Sequence, residues 1–266
     1  MTRRELFLLP FALPLLADSQ QRLLSGYRLL YHLRFADGRT EFLAWQQEHP
    51  SDPMGFASEA ASHLFEEFEQ HSVLTTEFFL DDDRLLGGIL GSPSAARTRA
   101  FQAAAARVTT IAKRATDANS LLALTLCEGM YADYESIIQK EQIASLKHIR
   151  SAESFGKQLL QVSPQMGDGY MALGAANYIL ACLPSYKRAV LWFGGLQGDK
   201  QRGMDQLAEA ARTGLYLAPY AKVMLALAML REKRKAQAFT LATELTTQFP
   251  DRPLFARIRQ GIGNTR

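Results

Sequence analysis

Cysteine is nearly missing from this chain: Cys127 and Cys182 are the only two in 266 residues. That excludes a disulfide framework as the main source of stability. Both lie in apolar helical patterns, where a small buried thiol is the ordinary reading. A bridge between them stays open in an oxidising compartment. Proline is sparse, at ten residues, and Leu and Ala dominate, so helix is the expected element. No sign of charge prevails: the formal net charge is +3, and Lys and Arg are scattered among acids. A basic stripe for nucleic acid is therefore lacking. With 47% hydrophobic and 21% charged residues, the chain is not a largely disordered one either.

Catalytic signatures are missing too. There is no His-Glu-x-x-His, no Gly-x-Ser-x-Gly elbow and no convincing Cys–His pair. His63, Glu67 and His71 follow one another at four-residue steps. Each such step drifts by about 40° on a helix, which turns His71 towards an apolar face, and no third strong ligand is close. Asp81-Asp82-Asp83 lacks the alternating acids and distal glutamate of a calcium loop, and reads as a solvated turn capping a short helix. Gly194, Gly195 and Gly198 precede Asp199-Lys200 rather than the Gly-Lys-Ser/Thr of a phosphate loop. Asp199 is expected to cap the helix that follows. The expectation is a chain with no catalytic residues, cofactor or metal.

What is present begins at the N-terminus. Arg3 and Arg4 precede an apolar run from Leu6 to Ala17, and Asp18 opens a polar stretch. That order is expected of an export signal over residues 1–17, followed by a mature domain over 18–266. The run is too short for a membrane span, and Pro10 and Pro14 interrupt it. Residues 2–8 loosely resemble a twin-arginine signal, leaving the export route open between that and the general secretory one. No cysteine near Ala17 offers a lipid anchor. The expected location is exported, periplasmic, with association to the envelope open.

Internal repeats carry the fold. From Gly26, Phe35, Gly38, Phe42, Trp45 and Pro50 follow at offsets of 9, 12, 16, 19 and 24. Counting back from Pro250, Ala226 and Ala238 fall on the two small positions and Leu245 on a large one. Small residues belong where two helices cross closely, large ones between neighbours, and proline stops the second helix. A degenerate copy ends at Pro164, with Ala152 and Leu159 in place and Gly129 in its first helix, so that both helices are long, about 119–139 and 143–162. Another places Gly174 in a first helix and Gly203, Leu207 and Ala210 in a second. An insertion holding Pro184, Trp192, Phe193 and several glycines separates them. Between Ser51 and Ala118 two helices are expected, near 54–72 and 94–116, joined by the acidic loop.

This pattern resembles the tetratricopeptide repeat, over most of residues 20–250. The resemblance implies an all-α, α-α superhelix of about five helix pairs, with a short cap after Arg252. In the C-terminal third, Gly169-Tyr170, Gly174, Asn177-Tyr178, Pro184, Gly195-x-x-Gly198-Asp199, Gly203, Leu207 and Ala210 are similar to the family of the fungal inclusion-body-clearance protein. In tetratricopeptide stacks the first helix of each pair lines a concave face. Carried over, this puts Tyr27 and Leu30, Met130 and Asp133, Ala175 and Tyr178, and Leu227 and Leu230 there. The partner-binding candidates are Tyr27, Leu30, Met130, Tyr134, Tyr178 and, from the insertion, Trp192. The Lys/Asn clamp for terminal carboxylates is lacking, so an apolar or amphipathic segment of an unidentified protein is the expected partner. A second reading is an exported enzyme or metal-dependent hydrolase on a helical toroid, centred on His63 and Glu67. A third is a structural part of an envelope assembly, recognisable by a large exposed apolar patch.

Overall fold

The computed structural model describes residues 13–182 and 198–265, with side chains from Gln20 onward. Among the described residues all regular structure is helical. The first pair is α1 (Leu13–Tyr31) and α2 (Phe35–Glu48). The second is α3 (Pro53–Gln70) and α6 (Ala95–Ala112), with two short helices inserted between them, α4 (Thr76–Leu80) and α5 (Asp82–Gly87). The third is α7 (Ala118–Asp133), prolonged by a π turn at Tyr134–Ile138, and α8 (Gln142–Val162). The fourth is α9 (Gly169–Cys182) and α10 (Lys200–Thr213), and the fifth α11 (Ala218–Arg231) and α12 (Lys235–Gln248). Helix α13 (Pro253–Asn264) caps the stack. Successive helices form most of the packing, as in a solenoid. No described helix is long and apolar enough to cross a membrane.

The first and last pairs are copies offset by 200 residues. Leu33 and Lys233 both adopt positive φ, 61° and 62°, in the turn between the two helices. Arg34 N–H returns to Leu29 O, and Arg234 N–H to Met229 O, closing the same C-terminal hydrogen-bonded turn. Pro53 and Pro253 then open the next helix, where a missing N–H is harmless. Small residues sit where expected. A methyl on Gly26 would fall 2.2 Å from the Phe42 ring, and Ala226 and Ala238 are fully buried in the fifth pair. Across α9 and α10 the two backbones touch: a Cβ on Gly174 would lie 2.9 Å from Gly203 O, and one on Gly203 2.9 Å from Gly174 O.

Two expectations need correction. Gly129 is not a close-approach site, since a methyl there meets nothing within 4 Å. The long third pair instead meets its neighbour through Gly156, whose Cβ would press on Leu173 and on Gly169 O. At the acidic loop the expected short capped helix is present as α5, and a further short helix, α4, precedes it. Thr75 and Asp81 cap α4 and α5 through side-chain acceptors, and helices this short leave no periodicity to read. The flanking helices end sooner than expected. Ser72 takes positive φ just after α3, and α6 ends at Ala112, ahead of the Asp117 cap of α7.

Candidate functional site

The inner face of the stack is covered by the chain itself. Tyr27, Leu30, Met130, Tyr134 and Tyr178 all lie at 5–7% exposure. Tyr27 packs edge-on to Phe42 and, at 5.1 Å, against Tyr216 from the loop before α11. Tyr134 stacks with Phe101, and its hydroxyl accepts from Gln139 Nε2. The Tyr178 hydroxyl donates to Ala228 O at 3.1 Å and meets Glu232 Oε1 at 3.2 Å, tying α9 to the end of α11. Trp192 lies outside the described residues. The structure thus gathers Tyr27 and Leu30 at one place and leaves Met130, Tyr134 and Tyr178 elsewhere in the core.

That place is the junction of the first helix with the last repeats. An apolar cavity of about 50 Å³ lies there, lined among others by Tyr27, Leu30, Phe79, Tyr220, Met224 and Phe255. Helix α4 closes one side of it. Its Phe79 and Leu80 pack on the apolar face of α11–α13, while Phe78 is buried with the N-terminal helices. Polar contacts fix this position. Arg231 donates through Nη1 to Phe79 O at 2.8 Å and through Nη2 to the Asp82 carboxylate at 2.5 Å. Thr76 donates to Ile258 O at 3.3 Å, and a Cβ on Gly261 would sit 2.7 Å from Thr76 Cβ. Beside it, Arg257 makes a two-pronged pair with Glu69 of α3 at 2.9 and 2.7 Å. The inserted segment therefore fills the concavity and joins both ends of the stack.

The residues that offered a catalytic reading are engaged in hydrogen bonds and ion pairs. The Glu67 carboxylate, 4% exposed, accepts from Arg97 Nε, from Ser94 N–H and from His71 Nε2. Burial alone would raise its pKa, but these partners outweigh it and hold the group below its ordinary value. His71 also reaches Leu90 O at 2.8 Å, so the cluster clamps the loop that leads into α6. His63 turns away, towards Arg39 and Glu59. Among the described residues no group of three His, Cys, Asp or Glu is placed to hold a metal ion. Cys127 and Cys182 are both free thiols, and burial pushes Cys127 up to about 12, which keeps that thiol protonated at neutral pH. Burial also lifts Asp133 to about 7, and its charge would in turn raise the Tyr220 hydroxyl, which burial already pushes up. Asp199 caps α10 by accepting from Arg202 N–H at 2.9 Å, as expected.

Sequence reasoning missed Asp168. It sits between Gly167 and Gly169 at 1% exposure and accepts three backbone amides, those of Leu215, Tyr216 and Leu217, at 2.7–3.0 Å. It thereby shapes the loop that carries Tyr216 against Tyr27. An acid flanked by glycines before an apolar helix was the available signal, and it reads equally as a solvated turn.

Among the described residues, Leu90 and Ile143 are the two most exposed large apolar side chains, at 78% and 85%. Both border the π turn. Ile89 N–H donates to Ile137 O, and the Gln142 side chain bridges Leu86 O and Ser136 O. Leu86 and Leu90 lie on the segment that also carries α4 and α5, and Ile143 lies on α8 next to Gln142, whose side chain reaches Leu86 O.

Neither a family model nor a curated protein matches the chain. Among solved structures, it is similar to a thermophilic tetratricopeptide-repeat protein of Thermus thermophilus, which is 15% identical. That likeness covers 92% of this chain and 98% of the other, with a TM-score of 0.50. At such identity the fold alone is shown, and it is a tetratricopeptide-like, all-α superhelical solenoid.

Proposed function

We propose that this chain is a protein–protein interaction module that holds a protein partner on its outer surface. Paired-helix stacks of this kind generally mediate protein contacts, and they present extended surfaces rather than one central reactive pocket. The observation that carries the reading is the high exposure of two large apolar side chains, Leu90 and Ile143, on the two segments that meet at the π turn. π turns persist at functional places because they strain an otherwise regular helix. Tyr27 and Leu30 lie beneath the chain's own segment and Met130, Tyr134 and Tyr178 are buried elsewhere, so the partner meets the outer surface first. The narrower likeness to the inclusion-body-clearance family rests on the quoted residues and adds no partner.

Export forms a second part of the proposal, with periplasmic placement of a mature chain that starts near Asp18. Its support is the order of Arg3, Arg4, the apolar run and Ala17. Cutting there would leave Asp18–Tyr31 of α1, a length close to that of α2.

The experiment is one purification from the native cell with two variants, Ile143→Asp and Leu90→Asp. Both side chains are solvated, so folding should be unchanged. Partner recovery is expected to fall at least tenfold for each, the effect of charging the centre of an apolar contact. Full recovery would reject this surface. The N-terminal mass of the same material reads the export proposal, which an intact Met1 on cytoplasmic protein would defeat.

A further inference from the structure

The α4 segment behaves as a ligand that the chain supplies to itself. Its seat is the face of α11 and α13 and the end of α1, built from Tyr31, Val223, Leu254, Phe255 and Ile258 around Arg231. We infer that this seat is a docking site for an external peptide carrying an aromatic–aliphatic pair followed two residues later by a carboxylate, with Phe79-Leu80-Asp81-Asp82 as its resident occupant. This deepens the interaction-module reading and rests on it.

Three observations point to that occupant chemistry. First, recognition in the seat is partly independent of side-chain identity: Arg231 takes a main-chain carbonyl, that of Phe79, which any peptide offers. Second, the charge is complementary. The same guanidinium holds the Asp82 carboxylate, and Arg231 is only 22% exposed while Asp82 is 70% exposed. The cation is built into the seat, whereas the anion approaches from solvent, so an anion from another chain can replace it. Third, the resident fit is incomplete. Phe79 and Leu80 are only half-buried, α5 buries no residue, and the 50 Å³ apolar cavity remains beside Phe79. A dry void of this kind forfeits dispersion contacts that a better-shaped side chain would regain.

The outer surface and the seat share one strand of chain. Leu86 and Leu90 follow Asp82 directly, so a partner that grips the outer surface holds the segment whose release empties the seat. Release leaves most of the core intact, because Val73, Phe78 and Ile89 anchor the segment to the N-terminal helices and not to α11–α13.

Fluorescence anisotropy with a labelled peptide of residues 74–84 tests the inference on the full chain. The wild type, its seat already filled, is expected to bind weakly. Asp82→Lys in the protein sets a cation against Arg231 and loosens the resident segment without touching a buried group. The peptide should then bind at least fivefold more tightly, and Asp82→Asn in the peptide should cancel most of that gain. A second variant, Phe79→Ala with Leu80→Ala, empties the apolar half and should bind more tightly still. Equal affinity for the wild type and a folded Asp82→Lys protein would overturn the inference. So would a gain that a peptide lacking Phe79 and Leu80 reproduces. Because the titration involves neither Ile143 nor Leu90, its failure leaves the outer-surface reading standing, and failure of that reading leaves the titration interpretable.

Discussion

Asp168→Ala is expected to lose about 4 kcal/mol of stability, from the loss of three hydrogen bonds and the stranding of buried donors. Few single carboxylates hold so much. The three amides it accepts belong to Leu215, Tyr216 and Leu217, the residues that lead into α11, whose first N–H groups have no partner within the helix. Tyr216 is buried against Tyr27, and its carbonyl accepts from the Tyr31 hydroxyl at 2.8 Å. Losing Asp168 therefore frees the loop and also the contact between the first helix and the fifth pair. Asp168→Asn keeps the shape but turns an amide NH₂ towards backbone donors, and should fall between alanine and wild type. Urea unfolding of the three proteins checks the order. A loss below about 1 kcal/mol for alanine, the worth of one ordinary hydrogen bond, would mean that the loop holds itself.

Gly203→Val should lose about 3 kcal/mol or more, at the upper end of overpacking effects. A Cβ there would stand 2.7 Å from Tyr178 N and 2.9 Å from Gly174 O. Backbone atoms of a neighbouring helix have no rotamer through which to yield. Helix α9 must move away from α10, and Tyr178 then leaves Ala228 and Glu232 on α11. The disturbance should spread C-terminally, so hydrogen exchange is expected to speed up in α9–α11 and stay near wild type in α2 and α3. Uniform acceleration, or none, would show that the crossing is not tight.

These two residues mark how much the sequence disclosed. Gly203 was legible because a repeat imposes its register: Gly26 and Ala226, Gly38 and Ala238, Pro50 and Pro250 recur at one spacing, and a small residue at a crossing has few other reasons. The helix pairs followed from the same register, within about a residue in the third pair. Gly129 misled because a glycine inside a long apolar helix carries the same signature without the neighbour. Asp168 was hidden because its work is done on amides 47–49 residues away. The site was least legible of all. The offsets pick out Tyr27, Leu30 and Tyr178, which the structure buries, and such offsets cannot tell an open groove from a filled one. Which it is depends on α4, a five-residue helix whose pairing with α11 and α13 spans some 150–180 positions.

The central claim is that α4 lies in the concavity and joins the two ends of the stack. Thr76→Cys with Gly261→Cys tests it directly, because Cβ atoms at these positions would be 2.7 Å apart, and about 1 Å of relaxation reaches ordinary disulfide spacing. Mild oxidation of the folded protein should give an intramolecular bridge in nearly every molecule, mapped by mass spectrometry to peptides containing residues 76 and 261. A folded double variant that keeps both thiols reduced, or bridges them only between molecules, would contradict the account.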